Sequence, residues 1–581
     1  MLQNDLNWIT GYIWGIADDV LRDLYVRGKY RDVILPMTVL RRLDAVLEDS
    51  KESVLEAKAR LDKDKIVKQD PALRNASGQA FYNTSRFTLR DLRSRASAQQ
   101  LKADFEAYLD GFSPNVQDIL DNFEFRNQIP RLSKADALGT LIEKLTSPEI
   151  NLSPRPVHNG DGSVRKPALD NHAMGTIFEE LVRKFNEENN EEAGEHWTPR
   201  DAVKLMAKLI FLPVADQMQS GTYLLYDGAC GTGGMLTLAE DTLQELAKEH
   251  GKEVSTHLYG QEINAETYAI CKADLLLKGD GDAADNIIGG PEHSTLANDA
   301  FPAKEFDFML SNPPYGKSWK SDLERIGGKA NMRDPRFMIE HAGDPEFSLA
   351  TRSSDGQMLF LANKLSKMKD TKNGSRIAEV HNGSSLFTGD AGQGESNIRR
   401  WIIESDWLEA IVALPLNMFY NTGIATYIWV LSNRKPEHRR GKVQLIDAMS
   451  WFQPLRKNLG KKNCELGEAD IERICKTFLD FEESEQSKIF DNDAFGYWKV
   501  TVERPLRIRG ADPERVYKAA EIKKLRDSGE RADDAPPIIK KIHKKGIAPN
   551  PLHGRFEATA GGKSAVVEYE PDTDLRDTEQ I

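Results

Sequence analysis

The sequence predicts an α/β fold: a parallel sheet with helices between its strands, preceded by an N-terminal helical domain and followed by a C-terminal helical and irregular tail. Three observations predict it. Apolar residues recur at helical spacing through about the first 150 positions. From about Asn171, short apolar runs alternate with helical stretches, the pattern of strand–helix–strand units. Two of those runs end in chemically distinctive loops, and open α/β sheets bind ligands just beyond the carboxyl ends of their strands.

The helical domain comes first. Trp14, Ala17, Leu21 and Leu24 share one helical face, and Val33, Met37, Leu40, Leu43 and Leu47 share another, as core-packing helices require. Ser133 is placed to cap a helix whose face is Leu138, Leu141, Ile142 and Leu145. Between Thr146 and Asp170 the chain turns polar and rich in Pro, Gly and Asn, which predicts a linker. Strands are expected at Tyr223–Tyr226, His257–Tyr259, Phe306–Leu310, Arg376–Val380, Glu409–Leu414 and Ala425–Leu431. Past Arg434 the pattern weakens. From Glu503 the chain is charged, with a helix expected over Pro513–Arg526 and no clear core. The expected division is a helical domain 1–150, a linker 151–170, a site-bearing domain 171–450 and a C-terminal region 451–581.

A chain of 581 residues accommodates two to four domains. Its 40% hydrophobic and 29% charged content supports packed cores and argues against wholesale disorder. The start shows no basic stretch followed by an apolar run, so no signal peptide is expected, and no window is apolar enough for a membrane span. Cys230, Cys271, Cys464 and Cys475 lie far apart without a CxxC pair, which fits a reducing cytoplasm. The histidines show no metal-binding spacing, and no metal is expected. The net charge of -13 speaks against a protein that grips nucleic acid alone; either a basic groove is local or a partner supplies most phosphate contacts.

The strongest motif is Ser311-Asn312-Pro313-Pro314-Tyr315, directly after an apolar run. The amino group on an aromatic ring is a poor nucleophile because its lone pair is delocalised. Two acceptors placed off the ring plane favour its pyramidal, attacking form. Asn312 offers a side-chain oxygen, Pro313 offers a carbonyl on a residue of fixed φ, and Pro314 holds Pro313 extended. Tyr315 offers a flat face for a base taken out of its stack. The same residues can also make a plain rigid turn.

The second motif is Asp227-Gly228-Ala229-Cys230-Gly231-Thr232-Gly233-Gly234. It matches neither GxGxxG nor a Walker loop, so the glycines alone indicate a nucleotide-like ligand or a tight strand–helix turn. Glu262 ends the next apolar run, where a carboxylate can accept from both hydroxyls of a ribose. In Glu195-His196-Trp197-Thr198-Pro199-Arg200-Asp201, Thr198 reads as an N-cap, Pro199 as the first helical residue and Asp201 as part of a capping box. A helix start of this kind also attracts a carboxylate.

In this order the motifs resemble those of the amino-methyltransferases, and more closely those of the modification subunits of type I restriction–modification systems. The resemblance covers about residues 5 to 435. It includes Ile16-Ala17-Asp18-Asp19, Leu40-Arg41-Arg42-Leu43-Asp44, Gly175-Thr176-Ile177-Phe178-Glu179, Asp355-Gly356-Gln357-Met358-Leu359-Phe360, Asn382-Gly383-Ser384-Ser385-Leu386-Phe387, Ile398-Arg399-Arg400-Trp401 and Leu414-Pro415-Leu416-Asn417-Met418-Phe419-Tyr420. It implies a Rossmann-like S-adenosylmethionine-dependent methyltransferase fold and N6-adenine methylation of DNA in the cytoplasm. A separate specificity subunit would choose the sequence, a restriction subunit would join the full complex, and two methylation subunits would serve each specificity subunit.

The resemblance also implies roles. Glu195, His196, Trp197, Thr198, Pro199 and Arg200 would border the methionine end of S-adenosylmethionine. Asp227, Gly231, Thr232 and Gly233 would form the cofactor loop, Glu262 would hold the ribose and Asp299 would sit near the cofactor's adenine. Asn312, Pro313 and Tyr315 would hold the target base. The chain departs from the family in two places: Gly228 stands where proline is usual, and His293-Ser294-Thr295-Leu296 replaces Gly-Asp-Thr-Leu. The family often continues beyond a segment like Asp574–Glu579, which implies a shortened form. The rival readings are a standalone adenine methyltransferase, a protein-glutamine methyltransferase and a catalytically silent scaffold of the same fold.

Overall fold

The computed structural model describes residues 3–94, 97–188, 198–329, 331–420, 422–459, 461–497 and 499–580. They form two compact units, Met1–Ala494 and Phe495–Ile581. Among them no helix is long and apolar enough to cross a membrane.

The larger unit opens with helices. α1 (Gln3–Leu21) and α2 (Arg31–Leu47) bury most of the expected stripes, with Ala17, Leu21, Val33, Met37, Leu40 and Leu43 inaccessible to solvent, Trp14 half-buried and Leu24 half-buried beyond the end of α1. α3 (Ala137–Leu145) starts differently from expectation. Asp136, in the left-handed region at φ 56°, turns the chain into it, while Ser133 belongs to the preceding helical turn Ile129–Lys134. The expected linker is a strap anchored at both ends, with an exposed hairpin (Val157–His158 with Val164–Lys166) between them. Ile150, Leu152 and Leu169 are buried, and the buried Arg42 guanidinium donates to the carbonyls of Leu152 (2.8 Å) and Leu169 (2.9 Å). A long cation that reaches across the strap replaces the apolar pattern that sequence reading relies on.

The sheet follows α4 (Asn171–Glu188) and α5 (Arg200–Phe211). Its strands are β1 (Gly221–Asp227), β2 (Val254–Glu262), β3 (Ile287–Gly289), β4 (Phe308–Ser311), β5 (Arg376–Asn382), β6 (Leu408–Ala413), β7 (Thr426–Ser432) and β8 (Lys442–Asp447). A short ribbon, β9 (Gln453–Leu459) with β10 (Lys462–Glu465), comes next, and the edge strand β11 (Ser487–Asp491) closes the set. The order across the sheet is β11-β8-β6-β7-β5-β4-β1-β2-β3. Each of the six strands expected from sequence is present.

The sheet is mixed rather than parallel. β3-β2-β1-β4-β5 pair in parallel, but β7 runs antiparallel to both β5 and β6, with Thr426 opposite Asn382 and Ser432 opposite Arg376. The cause lies in the β6–β7 connection, whose described residues hold no helix. A return to a parallel neighbour normally needs a crossover helix. The sheet also continues to Asp491, beyond the expected boundary at 450.

α6 (Gly234–Glu249) follows β1, and α7 (Ala265–Lys278) follows β2. α7 ties the sheet to the helical domain: the Tyr268 hydroxyl (2.5 Å) and the Lys272 ammonium (3.0 Å) both reach the Asp118 carboxylate. The smaller unit carries a three-stranded sheet (Ile539–Ile542, Lys563–Tyr569, Phe556–Ala560) and a helix at Ala519–Ser528. The helix overlaps the one expected over Pro513–Arg526, whereas the small sheet was not expected in a helical and irregular tail.

Candidate functional site

The parallel strands put their carboxyl ends on one edge, and a cavity of ≈ 470 Å³ opens there. Asp227 is the last residue of β1 and Ser311 the last of the adjacent β4. The Ser311 hydroxyl donates to Asp227 Oδ1 at 2.6 Å, and the Ala229 amide donates to the same oxygen at 2.9 Å. This fixes the first turn of the glycine loop. Burial pushes the Asp227 carboxyl above its usual range, against the opposing charge of Lys364.

Gly233 shows why the loop needs glycine. It sits at φ 81°, and a Cβ there would lie 2.6 Å from Cys271 Sγ. The left-handed turn lets the chain enter α6 with its first amides beside the cavity. Gly231 donates its amide to Glu262 Oε2 at 2.9 Å, and Asn264 donates to Oε1 at 2.8 Å. Glu262, the last residue of β2, is therefore held rigidly with both oxygens beside the cavity. Burial raises its carboxyl to about 7.

Asn312 follows Ser311 directly. Its Nδ2 donates to the Thr198 hydroxyl at 3.1 Å, while its Oδ1 is buried without a hydrogen-bond partner among the described residues. A buried acceptor left unpaired costs about 1–3 kcal/mol. An incoming N–H group would remove that cost.

The helix start at Thr198 differs from expectation. α5 begins at Arg200 with Pro199 as its N-cap, and no side chain caps it. The Thr198 hydroxyl is engaged by Asn312 instead. Asp201 reaches away from the helix end and accepts from the Leu466 amide (2.8 Å) and Lys462 Nζ (3.3 Å).

Of the expected residues, Thr198, Arg200, Asp227, Gly231, Thr232, Glu262 and Asn312 line the cavity. Gly233 and Pro199 are not part of the lining, although their chain neighbours Thr232, Gly234, Thr198 and Arg200 are. Pro313 is buried and Tyr315 half-buried, and neither is part of the lining, although Pro314 is. Asp299 is not brought to the cavity. Its carboxylate is 2.6 Å from Lys367 Nζ and also accepts from the Phe301 amide at 2.9 Å. A partner cation 68 residues downstream, invisible to motif reading, withdraws it. Glu195, His196 and Trp197 lie outside the described residues.

Several contributors went unassigned at the sequence level. Ser294, Thr295 and Leu296 line the cavity in the segment that departs from the family pattern, and the Thr295 hydroxyl donates to the Gly228 carbonyl. Gln261, fully buried, pins that segment through the carbonyls of His293 (3.0 Å) and Asn298 (2.7 Å). Glu179 and Asp274 add acidic groups to the lining. Asp355 Oδ1 accepts from the Gly316 amide at 3.1 Å, which fixes the exit of the Asn-Pro-Pro-Tyr loop. Asp355 Oδ2 accepts from Gln357, whose amide also reaches Asn382 at the end of β5. The Asp-Gly-Gln motif was visible in the sequence, but its partners are set by the fold.

Residues 169–499 match the N-6 DNA Methylase family, and residues 9–145 match the HsdM N-terminal domain. The chain belongs to the N-6 DNA methylase family. It is 26% identical over 499 residues to the type I restriction enzyme MjaIX methylase subunit of Methanocaldococcus jannaschii, covering 84% of this chain and 79% of that protein. It is 30% identical over 312 residues to the MpnII methylase subunit of Mycoplasma pneumoniae, covering 53% of this chain and 51% of that one. The type I methyltransferase subunit of Streptococcus thermophilus shares the fold, with a TM-score of 0.60 at 21% identity over 84% of this chain and 96% of that chain.

This N-6 DNA methylase is an adenine-specific DNA methyltransferase of the type I methylation-subunit kind, and its methyl donor is S-adenosylmethionine. The cavity fits that donor. Its volume lies within the range of small-molecule sites. The lining acids Glu179, Asp227, Glu262, Asp274 and Asp322 outnumber the lining cations Arg200 and Lys317, with Lys278 pairing Glu179 and Asp274, as suits a ligand that carries a sulfonium and an ammonium.

Proposed function

We propose that this chain is the methylating subunit of a cytoplasmic type I restriction–modification assembly, transferring a methyl group to the amino nitrogen of an adenine flipped from DNA. The observation that carries the reading is the buried, unpartnered Oδ1 of Asn312, held in place by Thr198 at the mouth of an acid-lined cavity.

In this reading Glu262 accepts from the ribose hydroxyls of S-adenosylmethionine, and the amides after Gly231 face its methionine end. When bound, that cofactor supplies a methyl group already activated on sulfur. Asn312 Oδ1 and the Pro313 carbonyl accept from the adenine amino group, drawing its lone pair out of conjugation. Tyr315 stacks on the base. That Pro313 and Tyr315 stand outside the cofactor cavity suits groups that seat the base rather than the cofactor. The proton released after transfer passes to solvent.

A specificity subunit would select the DNA sequence and a restriction subunit would complete the assembly, with two methylation subunits per specificity subunit. Relatives named as methylase subunits of type I restriction enzymes support a place in a multi-subunit assembly; the two-to-one ratio is the expectation carried by the family resemblance. The test is transfer of labelled methyl from S-adenosylmethionine by the assembly copurified from the native host. Label in DNA adenine and none in protein glutamine is expected; label only in protein would overturn the reading.

A further inference from the structure

The acidic total charge leaves open which part of the chain meets the DNA backbone. β9 and β10 draw attention because four of the seven residues 456–462 are Lys or Arg and none is acidic, in a chain of net charge -13. The ribbon follows β8, which runs parallel to β6, so it rises from the same edge of the sheet as Asn312. The β7 end nearest Asn382 and the β6–β7 connection lie beside it.

Its base is fixed. The Lys461 amide donates to the Tyr420 carbonyl (2.8 Å) and the Asn463 amide to that of Asn417 (3.1 Å). Lys462 is buried, with its ammonium on the Met418 carbonyl (3.0 Å) and Asp201 (3.3 Å). Asp201 lies three residues from Thr198, the partner of Asn312. A groove lined by Tyr420, Lys462 and Glu465 shares Glu179 and Arg200 with the cofactor cavity.

The remaining cations are not used internally. Arg456, Lys457 and Lys461 are exposed, and among the described residues none forms an ion pair. Some exposed cations elsewhere in this protein meet a carboxylate, as Arg90 meets Glu48 and Arg434 meets Asp370; what distinguishes the ribbon is three unpaired cations close together with no acidic residue among them. Three unpaired cations on a rigidly based ribbon, beside the seat of the target base, match a polyanion that passes over that edge.

We propose that Arg456, Lys457 and Lys461 contact the DNA phosphates flanking the flipped adenine, and so position the duplex over Asn312. The proposal rests on the DNA reading given above. Such contacts carry no sequence information; they set register and add a salt-dependent component to affinity.

The test compares the wild-type assembly with Arg456→Gln/Lys457→Gln/Lys461→Gln on a fluorescent DNA duplex over a range of salt. Each phosphate contact adds about 0.9 to the slope of log affinity against log salt. The neutralised variant is expected to lose about two to three from that slope. Its affinity for S-adenosylmethionine, measured without DNA, should stay within about twofold of wild type. The charge-preserving variant Arg456→Lys/Lys457→Arg/Lys461→Arg should retain the wild-type slope. An unchanged slope in the neutralised variant, with DNA methylation intact in wild type, overturns the proposal alone. An unchanged slope together with loss of copurifying subunits overturns it in favour of a protein-docking ribbon. Absence of DNA methylation in wild type defeats the functional reading itself.

Discussion

The two units differ most in what holds each of them together. In Met1–Ala494 a large apolar cluster runs from Leu6 in the first helix to Phe478, joining the helical domain to one face of the sheet, with a small satellite at Val54, Ala57, Leu73 and Tyr82. Among the described residues of Phe495–Ile581 there are two small clusters: Leu506, Ile508, Ala511, Tyr517, Ile522 and Ile538 form one, and Ile539, Ala560 and Val567 form the other. Ile538 and Ile539 are neighbours in an extended segment, so their side chains point to opposite faces and feed separate clusters. A large shared core lets a site store unfavourable features, such as an unpaired acceptor and a buried carboxylate. A divided small core has little stability to spare.

The largest expected effect tests the stored feature. Asn312→Ala removes the unpaired Oδ1 and should lower methyl transfer by at least ~10³-fold, the scale of losing one preorganised catalytic group. Binding of S-adenosylmethionine, followed by calorimetry, should change by less than about twofold. Equal loss of both would place Asn312 on the cofactor instead of the base. Next comes the stability contrast itself. Ile538→Ala should cost about 2–5 kcal/mol, enough to open a unit with so few buried apolar groups. Ile210→Ala, an equally buried change, should cost a similar amount but leave the larger unit folded, because that unit buries far more apolar groups. Limited proteolysis reads the difference: new cleavage within 495–581 is expected only for Ile538→Ala. Equal protection in both variants would break the comparison.

The same contrast explains what was legible in the sequence. Long periodic faces such as Val33, Met37, Leu40 and Leu43 declare themselves because the large core repeats its demand every turn. The six expected strands were legible for the same reason. β3 and β11 went unseen as short edge strands, and β8 lies beyond the run of clear strand–helix alternation. Around the cavity, the positions of Asp227, Glu262 and Asn312 were legible because each ends, or directly follows, an apolar run that forms a strand. The withdrawal of Asp299 by Lys367 was not, because an ion pair between distant residues leaves no periodic trace. The same holds for the strap stapled by Arg42, and for the Thr198 hydroxyl that Asn312 takes from its expected capping role. In the smaller unit the strands carry Lys and Glu on their open faces, so alternation is masked by charge.

A smaller effect is expected at Asp355, which touches neither cofactor nor base in this arrangement and acts by fixing the Asn-Pro-Pro-Tyr exit through the Gly316 amide. Gly316 sits at φ 72°, so the turn after Tyr315 depends on that anchor. Asp355→Ala should lower kcat by about tenfold, one hydrogen bond to a charged group, with the KM for S-adenosylmethionine unchanged. Asp355→Asn keeps an acceptor for Gly316 and should recover most of the rate. A rise in that KM with kcat unchanged would remove Asp355 from the positioning role and leave it as part of the cofactor wall.

The smallest effect is a pH dependence, and its sign follows from burial. The Glu262 carboxyl is raised from 4.5 to about 7, chiefly because the folded protein takes it out of water. Between those two values the folded chain holds a proton that the unfolded chain has released, so this group's contribution to stability falls as pH rises through that window. Cofactor binding runs the other way. Accepting from two ribose hydroxyls favours the carboxylate, so affinity for S-adenosylmethionine should tighten by about tenfold between roughly pH 6 and 8. Asp274, raised to about 6, lines the same cavity and adds only to the lower limb. Glu262→Gln keeps the shape but cannot titrate; it should weaken binding and flatten the profile above about pH 7. Calorimetric titrations across that range decide it. A wild-type profile already flat, or a slope that survives in Glu262→Gln, would show that the ribose is not read by this carboxylate.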